Sequence, residues 1–174
     1  DLLGATKQSA LVQNLLFEFV YYKGDTVFKP PDYEFRFIPV INYNVTKSEE
    51  ILLLNVDPGE DDSRYDSHIG IQGAFVDVHL RNVSDRYDFD SVRLGIQPYN
   101  HDFRGFVFQD NQFGLRLFGT RDNNRYQYNL AWFRRLEKDT NSGLNDLGEG
   151  LRDDDVFVAN VYWQDAIIRG HFLQ

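Results

Sequence analysis

The chain has no cysteine, no methionine and only five prolines in 174 residues, and no apolar run reaches the roughly 18 residues that a membrane-spanning helix needs. The missing cysteine excludes disulfides and thiolate metal sites. The missing apolar run excludes a helical membrane protein. Basic clusters are missing too: 18 Lys and Arg stand against 27 Asp and Glu, a net charge of -9, and the arginines are scattered through the strands. Nucleic acid is therefore not an expected partner, because phosphate binding needs a concentrated basic face. There is no glycine-rich phosphate loop and no nucleophile elbow. The paired carboxylates Glu18 and Glu34 have Arg36 nearby in sequence as a partner. No enzymatic activity and no cofactor are expected.

What the chain has in excess is rings. Aromatics make up 16% of it, ten Tyr and fifteen Phe among them, and membrane-interface girdles are one place that uses them. The patterning is of period two. Residues 91–120 are the clearest case: Val92, Leu94 and Ile96 alternate with Ser91, Arg93, Gly95 and Gln97, and after a turn-rich insert over 98–111, Leu115 and Leu117 alternate with Gly114 and Arg116. In a soluble sandwich the apolar face of such strands meets a core. In a membrane barrel it meets lipid, the polar face lines the lumen, and an insert such as 98–111 folds inward to narrow the passage.

Further strands are expected over 11–23, 33–45, 67–83, 125–137 and 156–164, with a last one starting at His171; residues 1–10 read as a lead-in loop. In 33–45, Tyr33, Phe35, Phe37, Ile41 and Tyr43 face one way and Glu34, Arg36, Asn42 and Asn44 the other. Connections alternate short and long, the long ones over 46–66, 98–111 and 138–155, as in outer-membrane barrels with short turns on one side and long loops on the other. The mean hydropathy of -0.48 does not oppose this, since a transmembrane strand needs only about ten alternating residues. The expected fold is all-β, an antiparallel up-and-down transmembrane β-barrel with about eight strands present, residues 1–174 forming one domain or barrel segment with no second domain.

The combination of Arg93, Gly95 and Gln97 on one strand, Asp102, Phe103, Gly105 and Phe108 in the following loop, and Gly114, Arg116 and Leu117 on the next strand resembles the bacterial outer-membrane porins of the phosphate-selective and alginate-export type. The resemblance extends loosely from Phe17 to Gln164. It implies that Arg93, Gln97 and Arg116 face the lumen and that Arg104 and Asp110 sit on a constricting loop. Such porins have more strands than this chain, and the chain stops at Gln174 without the usual terminal aromatic. It is therefore expected to be a segment of a larger barrel.

Together these readings give a lumen-lining set of Glu34, Arg36, Arg93, Gln97, Arg104, Asp110, Arg116 and Gln127. The arginines either attract anionic solutes or pair with lumenal carboxylates to stiffen the wall. The four histidines, His68, His79, His101 and His171, are dispersed, so no metal centre is expected; Asp57, Glu60, Asp61 and Asp62, with Asp66 nearby, form a weak Ca2+ candidate without an EF-hand's register. The expected function is a bacterial outer-membrane channel for passive passage of hydrophilic solutes or export of an anionic polymer. Its expected partners are membrane lipid, lipopolysaccharide and the solute, in a homo-oligomer or an envelope-protein complex. The alternatives are a soluble β-barrel or sandwich that binds a small ligand or glycan, and a structural outer-membrane anchor in an envelope complex.

Overall fold

The computed structural model describes residues 8–25, 30–48, 59, 63–101, 105–106, 108–166 and 172–173. Among these there is no helix. The strands are β1 (Gln8–Leu16), β2 (Phe19–Lys23), β3 (Tyr33–Ser48), β4 (Ser63–Asn82), β5 (Phe89–Asn100), β6 (Gln109–Arg121), β7 (Tyr126–Leu136), β8 (Leu151–Gln164) and β9 (Phe172–Leu173). They form one antiparallel sheet in the order β1, β3, β4, β5, β6, β7, β8, β9, with β2 also on β3. Each strand thus lies beside its neighbours in sequence, the order of an up-and-down wall, and among the described residues the ends are not joined.

β1 and β2 share one register against β3, with Leu16 opposite Val40 and Phe19 opposite Phe37. The strand expected over 11–23 is thus present, begins earlier at Gln8, and is interrupted at Phe17 and Glu18. Pro39 explains the gap. Its carbonyl accepts from the Phe17 N–H at 3.1 Å, but a proline has no N–H to give back.

Two compact units divide the chain, one of Asp1–Glu18, Ile38–Gln72 and Leu136–Leu151, the other of Phe19–Phe37, Gly73–Arg135 and Arg152–Gln174. Both β3 and β4 contribute to each. Along β4 the even-numbered residues are the more buried up to Gln72, and the odd-numbered ones from Gly73 to Asp77. Two consecutive buried residues shift the alternation by one, as a bulge does.

The long connections are all shorter than expected; between the strands expected over 33–45 and 67–83, β3 runs on to Ser48 and β4 starts at Ser63. The insert expected over 98–111 is ladder at both ends: Pro98, Tyr99 and Asn100 pair with Asn111, Asp110 and Gln109, leaving residues 101–108 as the connection. Asp110 is therefore a strand residue, not a loop residue. A single proline costs one ladder bond, and Pro98 is exposed, so the strand carries on through it. Likewise Asp153, Asp154 and Asp155 belong to β8 rather than to a loop. Arg134 on β7 reaches Asp153 at 2.7 Å and Asp155 at 3.4 Å, and Arg135 reaches Asp154 at 3.0 Å. Opposite charges across the strands make an acidic run compatible with a sheet.

The turn between β6 and β7 holds Asp122, Asn123 and Asn124 in the left-handed region, with φ of 55°, 57° and 66°, where Asn and Asp cost least among side chains. Asp88, from the turn between β4 and β5, clamps it. The Asp88 carboxylate accepts the N–H of Asn123 at 3.0 Å and of Asn124 at 3.1 Å, and the Ser84 hydroxyl at 2.8 Å. Burial alone would raise this carboxyl, but those bonds and the Arg121 charge outweigh it and hold it below the ordinary carboxylate value. Its stabilisation is therefore complete above the unfolded value near 3.9 and is lost as pH falls through the lower folded one. Asp88→Asn is expected to cost about 1–3 kcal/mol at neutral pH, read by denaturant unfolding, and the gap to wild type should narrow as pH falls below about 4. A gap unchanged at acid pH would mean that the clamp does not use the ionised carboxylate.

Candidate functional site

The polar face of the strands is the buried one. Among the described residues, eight of the ten largest fully buried side chains are polar: Gln97, Gln112, Asn42, Asn44, Asn145, Thr46, Ser48 and Ser91. On the opposite face of the same strands Ile41, Leu94, Leu115 and Leu130 are 44–50% exposed. The register puts the expected residues on that polar face together: Arg93 lies opposite Arg116, Gly95 opposite Gly114, Gln97 opposite Gln112 and Tyr99 opposite Asp110.

In the unit that contains Gly73–Arg135, three arginines and three rings form a ladder across β3 to β6. The Arg36 guanidinium lies 5.9 Å from the Phe75 ring centre, and Arg93 lies 4.5 Å from Phe75 and 5.6 Å from Phe118. Arg116 continues it, 4.6 Å from Phe118 and 5.3 Å from Tyr99. Such contacts between cation and ring face are each worth about 0.5–2 kcal/mol. Arg36 pairs with Glu34 at 2.7 Å, and Arg93 donates two bonds to Asp77 Oδ2 at 2.9 and 2.7 Å. Arg116 differs. It donates to the neutral amide oxygen of Asn129 at 2.8 Å and makes no ion pair among the described residues. Two guanidiniums thus lie directly opposite each other, with Asp77 bonded to Arg93 and Asp110 further along the same face.

Compared with family models, curated proteins and solved structures, the chain matches none.

Gln97 is fully buried and donates to the Gly114 carbonyl at 3.0 Å. Asp110 accepts from Gln112 at 2.5 Å. Gln127 shares the face by register with Thr120 but is exposed beside the 122–125 turn, bonded to Asn124 at 3.0 Å. Arg104 and the candidate Ca2+ residues Asp57, Glu60, Asp61 and Asp62 lie outside the described residues. Rings are also on this face: Tyr99, Phe108 and Phe133 pack with centroids 5.0–6.2 Å apart, against Ala131, Val156 and Val158. Gly114 makes room for Phe133, whose ring lies where a Cβ would be.

In the other unit, it is residues 137–150 that fold over the polar face. Asn44 donates to the Asn42 amide oxygen at 2.8 Å and to Asp139 at 3.4 Å, and Asn141 donates to Thr46 at 3.4 Å. Asn145 is fully buried and donates through Nδ2 to the Ile71 carbonyl at 3.0 Å and through its N–H to Gln72 at 3.3 Å. Gly70 permits this approach, since a Cβ there would overlap the Asn145 carbonyl. Burial would raise the Asp139 carboxyl, but the bonds from the Ser142 hydroxyl and N–H prevail and hold it low.

The histidines are dispersed in sequence, yet the fold brings His68 beside Asp66 and Asp139. The sequence reading missed this grouping. Only the spacing of Asp66 and His68, two apart and hence on one strand face, was visible in it.

For the ladder, Asp77→Ala should cost about 2 kcal/mol in unfolding free energy, because it strands Arg93. The double variant Asp77→Ala with Arg93→Met should be less destabilised than the sum of its single changes by about 1 kcal/mol or more. Strict additivity in that cycle would count against a working pair.

Proposed function

We propose that this chain forms part of the wall of a bacterial outer-membrane β-barrel, a channel through which hydrophilic solutes pass passively, with anions favoured. One observation carries the reading: amides, hydroxyls and ions are buried on one face while Ile41, Leu94, Leu115, Leu130 and Phe157 stand exposed on the other. Water does not reward that arrangement, and lipid does. A soluble sandwich would need those aliphatic faces as its core. The lengths agree as well. Tyr33 and Tyr43 lie ten residues apart on one face of β3; at about 3.4 Å per residue and a tilt near 45° that spans roughly 24 Å, close to the apolar band between the aromatic girdles of such barrels. Tyr33 pairs with Tyr21 at 6.0 Å, and Tyr43 with Tyr65 at 5.3 Å.

On this reading selectivity comes from the ladder. Arg116, held between rings and without a carboxylate, presents fixed positive charge to a passing solute, as lumenal arginines do in anion pores. The resemblance to phosphate-selective and alginate-export porins supports the same preference. The connection 137–150, which packs on the polar rows of β3 and β4, folds inward on this reading. The arginines serve both roles named above: Arg36 and Arg93 stiffen the wall in pairs with Glu34 and Asp77, and Arg116 carries the field.

The tests separate the two faces. Arg116→Ala in planar bilayers should lower the anion-to-cation permeability ratio, read from the reversal potential in a salt gradient, by roughly twofold, while folding in lipid is kept. Leu130→Arg should cost about 2–4 kcal/mol of folding into vesicles. Wild-type folding of Leu130→Arg in lipid would sink the assignment of the apolar face, and an unchanged reversal potential in Arg116→Ala would remove the ladder from the conduction path.

A further inference from the structure

We propose that Asp66, His68 and Asp139 bind one divalent transition-metal ion, with Zn2+ as the reference ion, and that the ion fastens the 137–150 connection to β4. Each residue offers one ligand atom, and all these atoms lie within 4.8 Å of one another. Asp66 and His68 present theirs from one face of β4, and Asp139 presents its own from the connection. The pull toward a ligand comes from His68. Its side chain is only 8% exposed, and neither ring nitrogen has a hydrogen-bond partner. Its Nδ1 is 3.9 Å from Asp139 Oδ1, beyond hydrogen-bond reach. A buried imidazole with both nitrogens idle is costly, and such an orphan calls for a partner that the protein does not supply.

The rest of the site is arranged to serve an ion. Asp139 Oδ2 is occupied by bonds from the Ser142 N–H at 2.7 Å, the Ser142 hydroxyl at 2.5 Å and Asn44 at 3.4 Å. This fixes the carboxylate and leaves Oδ1 turned to His68, the outer-shell support that metal ligands ordinarily have. Asp66 makes a long contact with Arg64, at 3.7 Å, and is hydrogen-bonded with Asp139. Asp66 and Asp139 line a cleft of about 280 Å³ in which Glu137, Asp146 and Glu149 add carboxylates and Arg64 and Lys138 add two positive charges, so the acidic groups outnumber the basic ones. One nitrogen and two carboxylate oxygens is a set that Zn2+ accepts at bond lengths near 2.0–2.2 Å, with water completing the shell. Ligand atoms around such an ion stand roughly 3.3 Å apart, so the side chains need close by up to about 1.5 Å from their separation of 4.8 Å or less. Ca2+ fits less well, since it takes six to eight oxygens and has no use for the imidazole.

The inference does not depend on what the channel carries. The experiment is calorimetric titration of ZnCl2 into the whole purified protein after chelation, repeated on His68→Ala and Asp139→Asn, with Co2+ as a spectroscopic stand-in. One ion per chain is expected, bound at least a hundredfold more weakly by His68→Ala, with visible Co2+ absorption bands that the variant lacks. Zn2+ should also slow proteolysis within 137–150 in wild type and leave the rate unchanged in His68→Ala. Each variant's fold is checked by the wild-type circular dichroism spectrum, and a variant that fails that check is replaced by His68→Gln. The proposal is overturned if wild type takes up no Zn2+, if His68→Ala binds as tightly as wild type, or if Ca2+ binds and Zn2+ does not.

Discussion

A strand satisfies its own N–H and C=O groups in the ladder before its side chains settle on a side, and here the side that turned inward is the polar one. Everything else in the structure depends on that inversion. Once Asn42, Asn44, Gln97 and Gln112 are buried, each needs a partner, and most of the hydrogen bonds on the face are the answer. The two units meet the demand differently. One fills its polar face with guanidiniums layered between rings. The other covers its polar rows with a returning segment of chain.

The inversion also changes what an arginine means. On a water-facing sheet Arg93 opposite Arg116 would be a mild error of patterning, screened by solvent. On a half-buried face the repulsion is larger, and the structure offsets it with ring faces on both guanidiniums and with Asp77 for one of them. Arg116 is bonded to the Asn129 amide instead of a carboxylate.

Period-two alternation made most of this fold legible. The faces of β3, β5, β6 and β7, the short turns and the place of Glu34, Arg36, Arg93, Gln97 and Arg116 follow from which residues alternate. What stayed hidden needed register. Pro98, Asn100 and Gly105 read as turn residues, and nothing in their types shows that Tyr99 pairs with Asp110 and carries the strand onward. Asp153 to Asp155 read as loop because the arginines that neutralise them are on another strand. Alternation puts Phe75 on the face of Asp77 and Phe118 on that of Arg116, but only the pairing of strands shows that both rings lie against Arg93. His68 and Asp66 stood two apart in plain view, but Asp139 comes from a distant connection.

The ladder has a consequence for how this face can change. Phe75 serves both Arg36 and Arg93, and Phe118 serves both Arg93 and Arg116, so every interior rung is shared. Trimming one ring releases two cations to new rotamers at once, without altering the charge of the protein. The positions are thus bound to drift together, and a hydrocarbon ring, the least electrostatic of side chains, decides where the positive potential sits.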